Sequence, residues 1–261
     1  MDSRPIGLFD SGVGGLSVLR ELRRLAPAES LVYYADTAWF PYGSRPPAEV
    51  RKRAFAATHT LLNAGAKAIV VACNTASAAA LQDLREAFSD VPFVGMVPGL
   101  KPAAQASRGG HVAILATPGT LGGGLYHQVA TDFGRSVHIE EVAGHGLADA
   151  VERGAVAEPA TRELLRELVT PAVDRGADAL VLGCSHYAFL APLIREEFPA
   201  VQLVDTAEAV ARRTLQVLRD GDALAPEHAA AELSVIVSGS RAAFLEQVQR
   251  IDPDLVPEAV S

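Results

Sequence analysis

Gly65-Ala-Lys-Ala-Ile-Val-Val-Ala-Cys73 and Gly176-Ala-Asp-Ala-Leu-Val-Leu-Gly-Cys184 align without gaps, and each residue of the first stretch lies 111 positions before its counterpart. Five of the nine aligned positions are identical, including the final cysteine. The centre of each stretch is a continuous apolar run, which is typical of parallel strands that helices cover on both faces. The repeat therefore predicts two similar halves, each with a buried strand that ends in a cysteine.

Short apolar runs alternate with amphipathic stretches along the rest of the chain, which predicts an α/β fold with largely parallel sheets. Segments 6–12 and 112–119 also resemble each other, since each is a strand followed by a glycine-containing turn. Ser44 before Pro46-Pro47 is predicted to cap a helix, and residues 251–261 are predicted to form a loose end. The predicted strands are 5–9, 31–35, 68–72, 93–97, 111–116, 137–142, 179–183, 202–204 and 233–238.

Composition excludes several functional classes. The 261 residues carry a formal charge of −8 without a concentrated basic patch, so we expect no nucleic-acid partner. No signal peptide or membrane-spanning segment is indicated, so we expect no membrane association. Two cysteines do not make a disulfide framework, and their presence favours a reducing, cytoplasmic location.

The polar residues after each repeated strand indicate chemistry at the two cysteines. The sequences are Cys73-Asn74-Thr75 and Cys184-Ser185-His186, and ligands of parallel sheets bind at the carboxyl ends of strands. No ligand spacing for a metal is present at these cysteines or at the other histidines, which are His59, His111, His127, His138, His145 and His228.

Two thiols that face each other can remove a proton from one side of a carbon and deliver one to the other. An ordinary thiol pKa of about 8.5 makes both protonation states accessible, and each step needs one thiolate base and one thiol acid. Asp10, Glu152 and His186 are candidates to exchange protons with the thiols. This pattern predicts a cofactor-independent racemase or epimerase. A cysteine-dependent hydrolase stays open as an alternative, although it would leave one cysteine idle.

A glycine-rich turn, Asp10-Ser11-Gly12-Val13-Gly14-Gly15, lies between the first strand and the first helix. Backbone N–H groups in such a turn can hold a small anion or the carboxylate of an amino acid. Ser17 stands where a dinucleotide fingerprint has its third glycine, so we do not expect nicotinamide binding.

The chain resembles the glutamate racemase family from residue 5 to about residue 219. The matching motifs are Asp10 to Gly15, Asp36 with Pro41-Tyr42-Gly43, Ala72-Cys73-Asn74-Thr75-Ala76, Thr117-Pro118-Gly119-Thr120 and Gly183-Cys184-Ser185-His186-Tyr187. The resemblance implies two Rossmann-like parallel-sheet domains related by a pseudo-twofold axis, with the active site in the interdomain cleft. We assign residues 1–96 and 208–261 to one domain and residues 97–207 to the other.

The resemblance also implies an activity, which is interconversion of L- and D-glutamate to supply D-glutamate for peptidoglycan, without a metal or another cofactor. It implies that Cys73 acts on D-glutamate with assistance from Asp10. It also implies that Cys184 acts on L-glutamate with assistance from His186 and nearby Glu152. A homodimer is compatible with it. The implied substrate-binding residues are Asp10, Ser11, Pro41, Tyr42, Gly43, Asn74, Thr75, Thr117, Thr120, Ser185 and His186.

Other functions of the same fold remain open at this stage. They are racemisation of another acidic amino acid such as aspartate, decarboxylation, and binding without catalysis. His186 favours glutamate, because the similar aspartate racemases typically carry Glu at this position. Cys73 disfavours the similar decarboxylases, which keep only the second thiol. Ser185 and Ala188 stand where the family usually has Thr and Pro, and we expect these departures to affect substrate range and rate rather than reaction type.

Overall fold

Two parallel β-sheets form the framework of the computed structural model, which describes residues 1–133, 137–255 and 259–260. In the first sheet the strand order is β10-β9-β2-β1-β3-β4, and in the second it is β6-β5-β7-β8. The strands, numbered along the chain, are β1 (Ile6–Asp10), β2 (Leu31–Ala35), β3 (Ala68–Val71), β4 (Phe93–Gly95), β5 (His111–Ala116), β6 (His138–Ala143), β7 (Ala179–Gly183), β8 (Gln202–Val204), β9 (Leu233–Val237) and β10 (Ala259–Val260).

The two sheets share one topology, because β2-β1-β3-β4 in the first corresponds to β6-β5-β7-β8 in the second. The repeated sequences occupy equivalent central strands, β3 and β7, and the related segments occupy β1 and β5. The predicted α/β fold with two parallel-sheet halves is thereby confirmed. The exact division at residues 96/97 and 207/208 stays a prediction.

Helices cover the sheets because their sequences carry one apolar stripe. In α1, for example, Leu16, Leu19 and Leu22 are buried while Arg20 is exposed. Within the described residues, no helix is both long and apolar enough to cross a membrane. The helices are α1 (Leu16–Leu25), α2 (Pro47–Asn63), α3 (Asn74–Ala87), α4 (Leu100–Ala106), α5 (Pro118–Leu121), α6 (Gly124–Phe133), α7 (Leu147–Glu152), α8 (Pro159–Asp174), α9 (Ala191–Glu197), α10 (Ala207–Asp220) and α11 (Arg241–Ile251).

Two local predictions were wrong. Ser44 does not cap α2; it ends a short 3-10 turn, and Pro46 is the N-cap residue without a side-chain cap. The proline ring forces the preceding Arg45 into an extended conformation, which separates Ser44 from the helix. The end of the chain is not entirely loose, because β10 pairs with β9. Residues 256–258 and 261 lie outside the described residues.

One buried apolar cluster runs from the first sheet into the second. It includes Leu8 of β1, Leu115 of β5 and Leu182 of β7, together with Tyr187 in the 3-10 turn Ser185–Leu190. Tyr187 also donates a hydrogen bond to the Gly144 carbonyl at 2.8 Å. This shared core positions the turn that follows Cys184 against the first half of the molecule.

Candidate active site

Both cysteines lie at the carboxyl end of a central strand, one in each sheet. Cys73 is the N-cap of α3, and its sulfur accepts a long hydrogen bond from the Ala76 N–H at 3.5 Å. Cys184 precedes the 3-10 turn, and its sulfur is 3.9 Å from Nδ1 of His186. Both are buried and free of disulfides. The matching positions follow from the shared topology, since equivalent strands end at equivalent places.

A cavity of about 370 Å³ contains both cysteines in its wall and is built from both halves of the chain. Most of the residues predicted from the sequence line it, while Asp10, Thr120 and Glu152 are buried outside the lining. The predicted residues in the lining are Ser11, Pro41, Tyr42, Gly43, Cys73, Asn74, Thr75, Thr117, Cys184, Ser185 and His186. Sequence positions far apart therefore meet around one space of a size suited to a small molecule.

Asp10 connects the two halves behind this cavity. One carboxylate oxygen accepts a hydrogen bond from the Gly12 N–H at 2.9 Å, and the other accepts one from the Ser185 hydroxyl at 2.8 Å. Complete burial raises the pKa of Asp10, although the nearby His186 charge opposes this effect. Burial, followed by the charge of Asp10, raises the pKa of Cys73 well above its ordinary value. The Cys73 thiol therefore holds its proton firmly while Asp10 is charged.

His186 lies between Cys184 and Glu152. Its Nδ1 faces the Cys184 sulfur, and its Nε2–H donates to Oε2 of Glu152 at 2.9 Å. Burial by itself lowers the pKa of His186, but the hydrogen bonds with Cys184 and Glu152 outweigh it and raise that pKa well above 6.5. A protonated imidazole therefore lies beside the Cys184 sulfur. The Glu152 carboxyl group, the His186 imidazole and the Cys184 thiol thus form one row of neighbouring groups that ends at the cavity.

In the glycine-rich turn after β1, a backbone N–H group binds the side-chain carboxyl group of Glu152 from the same chain. The Val13 N–H donates to Oε2 of Glu152 at 3.1 Å. A Cβ atom on Gly12 would collide with the Glu152 carboxylate, and one on Gly14 would collide with His186. The glycines therefore admit Glu152 and His186 from the other half of the chain. Ser11 of the same turn lines the cavity, so binding of an amino-acid carboxylate at this turn stays a prediction.

Unpaired and clustered polar groups occupy the remaining wall. The side chain of Asn74 is buried, and neither its amide oxygen nor its nitrogen has a hydrogen-bond partner among the described residues. Three hydroxyl groups, those of Thr75, Thr117 and Thr120, lie 2.9 to 3.3 Å from one another. A buried amide without a partner is costly, so Asn74 is available to a polar ligand.

The predicted role of Tyr42 changes in detail. Its hydroxyl donates to Oδ2 of Asp36 at 2.5 Å, and Arg53 binds both oxygens of the same carboxylate at 2.8 Å. Desolvation opposes ionisation of Asp36, but the bonds from Arg53 and Tyr42 outweigh it and lower the pKa of that carboxyl. The Tyr42 hydroxyl is therefore bound to Asp36, although Tyr42 remains one of the residues that line the cavity.

Several lining residues were missed by the sequence analysis. Gly144, His145 and Gly146 follow β6, while Ala148 and Asp149 lie in α7; Phe40, Ser44 and Pro118 complete the lining. The signal for the first group was the end of a strand beside β5, because all parallel strands of a sheet end at the same edge. His145 was set aside only because it lacks metal-ligand spacing.

The cavity itself contains no group of three metal-ligating side chains within reach of one ion, as far as the described part of the chain shows. Lysine and arginine are also absent from its described lining. Hydroxyl groups, an amide, backbone N–H groups and a protonated histidine are therefore the groups that can bind a carboxylate here. This arrangement supports proton transfer by two thiols that lie in different environments.

Comparisons with known proteins agree with this arrangement. The Asp/Glu/Hydantoin racemase family model matches residues 6–214. A glutamate racemase of Roseiflexus sp. is 53% identical over 219 residues, which cover 84% of this chain and 80% of the relative. The glutamate racemase of Thermus thermophilus, solved with beta-chloro-D-alanine, has a TM-score of 0.85 at 39% identity and covers 100% and 97% of the two chains. That of Escherichia coli, solved with L-glutamate and the activator UDP-MurNAc-ala, has a TM-score of 0.81 at 33% identity and covers 98% and 97%.

Proposed function

The chain belongs to the Asp/Glu/Hydantoin racemase family, and on this basis we propose that it is a glutamate racemase that moves protons with two thiols. It interconverts L- and D-glutamate, which is the activity of its similar relatives. One observation carries the mechanism: two cysteines from equivalent strands of two equivalent sheets line the same cavity.

Each turnover uses both cysteines in opposite roles. With D-glutamate, the Cys73 thiolate takes the proton from the α-carbon, and the Cys184 thiol gives a proton to the opposite face. With L-glutamate, Cys184 is the base and Cys73 is the acid. After each turnover the two thiols have exchanged protonation states, so the enzyme is ready for the reverse reaction. This assignment of faces follows the family resemblance.

Neighbouring groups set the protonation states of the two thiols. Cys184 has an immediate partner in His186, which can take the thiol proton and stabilise the thiolate. Among the described residues, Cys73 has no such cation beside it, and the buried carboxyl of Asp10 influences its pKa instead. We therefore assign Asp10 to the Cys73 side and His186, oriented by Glu152, to the Cys184 side.

Substrate binding relies on the polar wall. We assign Asn74 and Ser11 to the amino-acid end of glutamate, since both line the cavity together with the cysteines and the Asn74 amide has no partner among the described residues. The hydroxyl cluster of Thr75, Thr117 and Thr120 and the backbone at Gly43 are assigned to a carboxylate. Pro41, Tyr42 and Ser185 complete the set of proposed binding residues. No metal, pyridoxal phosphate or nicotinamide takes part in this scheme.

The biological setting is part of the same proposal. D-glutamate supplies the synthesis of peptidoglycan precursors, as the family resemblance implies, and this places the enzyme in the cytoplasm. We also propose that the protein forms a homodimer, which light scattering can test.

The decisive experiment measures circular dichroism of L-glutamate or D-glutamate over time, with purified protein and no added cofactor. We expect loss of optical activity without a change of mass, and no effect of EDTA. Cys73→Ala and Cys184→Ala should each abolish racemisation in both directions, because each direction needs both thiols. Thermal melts must show that the variants are folded. Full racemisation by either variant, or a need for pyridoxal phosphate, contradicts the two-thiol scheme.

A further inference from the structure

Three side chains that can bind metal meet at the edge of the second sheet, away from the cysteines. His111 is the first residue of β5 and pairs in register with His138, the first residue of β6. Glu140 follows two residues later on β6, so it projects from the same face as His138. β6 is the outer strand of its sheet. The cluster lies at the amino ends of the strands, whereas both cysteines follow carboxyl ends.

The distances within this cluster suit coordination of one ion. One ligand atom from each of the three residues lies within 4.8 Å of the other two. The imidazole Nε2 of His111 is 3.0 Å from Oε2 of Glu140, and the two rings meet edge to face with centroids 4.5 Å apart. Ligands at about 2.0–2.1 Å from a tetrahedral zinc ion are about 3.3 Å apart. His138 is exposed, so small side-chain rotations can complete this geometry.

The charges of the cluster also suit a cation. Arg175 and His111 both contact the Glu140 carboxylate, which supplies the negative charge of the cluster. Without an ion, the Nε2–H of His111 donates to Oε2 of Glu140. A metal ion can bind Nε2 of His111 in the neutral tautomer that carries its proton on Nδ1, because a metal binds the unprotonated imidazole nitrogen. Arg175 binds both oxygens of this carboxylate, Oε1 through Nη2 and Oε2 through Nε at 3.3 Å, so an ion at Oε2 would replace the longer of the two bonds while the bond to Oε1 holds the carboxylate in place.

We propose that His111, His138 and Glu140 bind one divalent transition-metal ion, with Zn²⁺ as the best match and water in the remaining position. Two imidazoles favour Zn²⁺ over Mg²⁺ and Ca²⁺, which prefer oxygen ligands. The ion links β5 to the outer strand β6 and has a structural role. It does not enter the racemisation scheme, since it binds at the opposite ends of the strands.

The test uses protein without a histidine tag, and its background variant Cys73→Ser/Cys184→Ser removes the thiols that could also bind metal. In this background, calorimetry should show one Zn²⁺ bound per chain, and melting temperature should rise with Zn²⁺. His138→Ala and Glu140→Gln should each raise the dissociation constant at least about tenfold. His228→Ala, which changes an exposed histidine elsewhere, should leave it unchanged. Co²⁺ should give a visible spectrum that disappears in His138→Ala.

Two outcomes overturn the proposal. Zn²⁺ binding that is equally tight in His138→Ala places the ion elsewhere, and binding that disappears in the cysteine background assigns it to the catalytic cavity. The racemase proposal is tested separately, because His138→Ala with both cysteines intact should retain the parent's kcat/KM. The two proposals are therefore distinguishable. A protein can lose metal binding and keep full racemase activity, or it can bind metal and lack racemase activity.

Discussion

Replacing Glu152 by Gln tests the line of groups behind Cys184. Gln has the shape of the Glu side chain but carries no charge. In the protein, Oε2 of Glu152 accepts from Nε2 of His186 at 2.9 Å and from the Val13 N–H at 3.1 Å. A hydrogen bond to a charged group contributes about 1.5–3 kcal/mol. Its loss should lower the pKa of His186 towards the ordinary value and weaken stabilisation of the Cys184 thiolate.

The expected loss of kcat/KM in Glu152→Gln is roughly 10- to 150-fold, by conversion of that free energy. Because the equilibrium constant between enantiomers is one, the loss must be equal for L- and D-glutamate. The assay that separates the two sides is elimination of chloride from β-chloroglutamate, which needs a base but no returned proton. The L-enantiomer, which depends on Cys184, should lose the full factor, and the D-enantiomer less than about threefold.

A matched control is Glu158→Gln, which removes the charge of an exposed glutamate without a capping bond. This control should behave as the parent in all assays. Equal losses for both β-chloro enantiomers would refute the assignment of Glu152 and His186 to Cys184. Unchanged kcat/KM in a folded Glu152→Gln variant would refute the proposed role of the ion pair.

A Cβ on Gly43 would lie 2.8 Å from the Thr117 Cβ, so Gly43→Ala should raise KM for glutamate roughly 5- to 150-fold through overpacking of about 1–3 kcal/mol. Gly124→Ala, where no atom lies within 4 Å of the new Cβ, should leave KM unchanged. Folding raises the pKa of His186 above 6.5; the folded state therefore binds its proton more tightly, and the free energy of unfolding should fall as pH rises above about 6.5. Urea titrations at several pH values measure this fall, and a rise over the same interval would contradict it. Aspartate should show a kcat/KM at least about tenfold lower than glutamate, which is about 1.4 kcal/mol in transition-state binding; equal rates on both would refute this selectivity.

The sequence alone determined the secondary structure and the internal symmetry, because both depend on local patterns. A strand of three to six residues is indicated by a short, mostly apolar run, and the predicted strands at 31–35, 111–116, 179–183 and 202–204 have the observed bounds. The gapless repeat indicated that Cys73 and Cys184 occupy equivalent positions. Parallel strands end at one edge of a sheet, so local order along the chain sufficed to predict where the chemistry lies.

The tertiary structure alone decided which side chains share a proton or a ligand. Asp10 and Ser185 are 175 positions apart and touch only because the two sheets pack around one core. Glu152 meets the glycine-rich turn for the same reason, a contact that no local pattern in the sequence indicated. His111 and Glu140 lack any motif spacing, and only the register of β5 with β6 brings them together. Contacts of this kind depend on packing between distant segments, and periodicity along the chain carries no record of them.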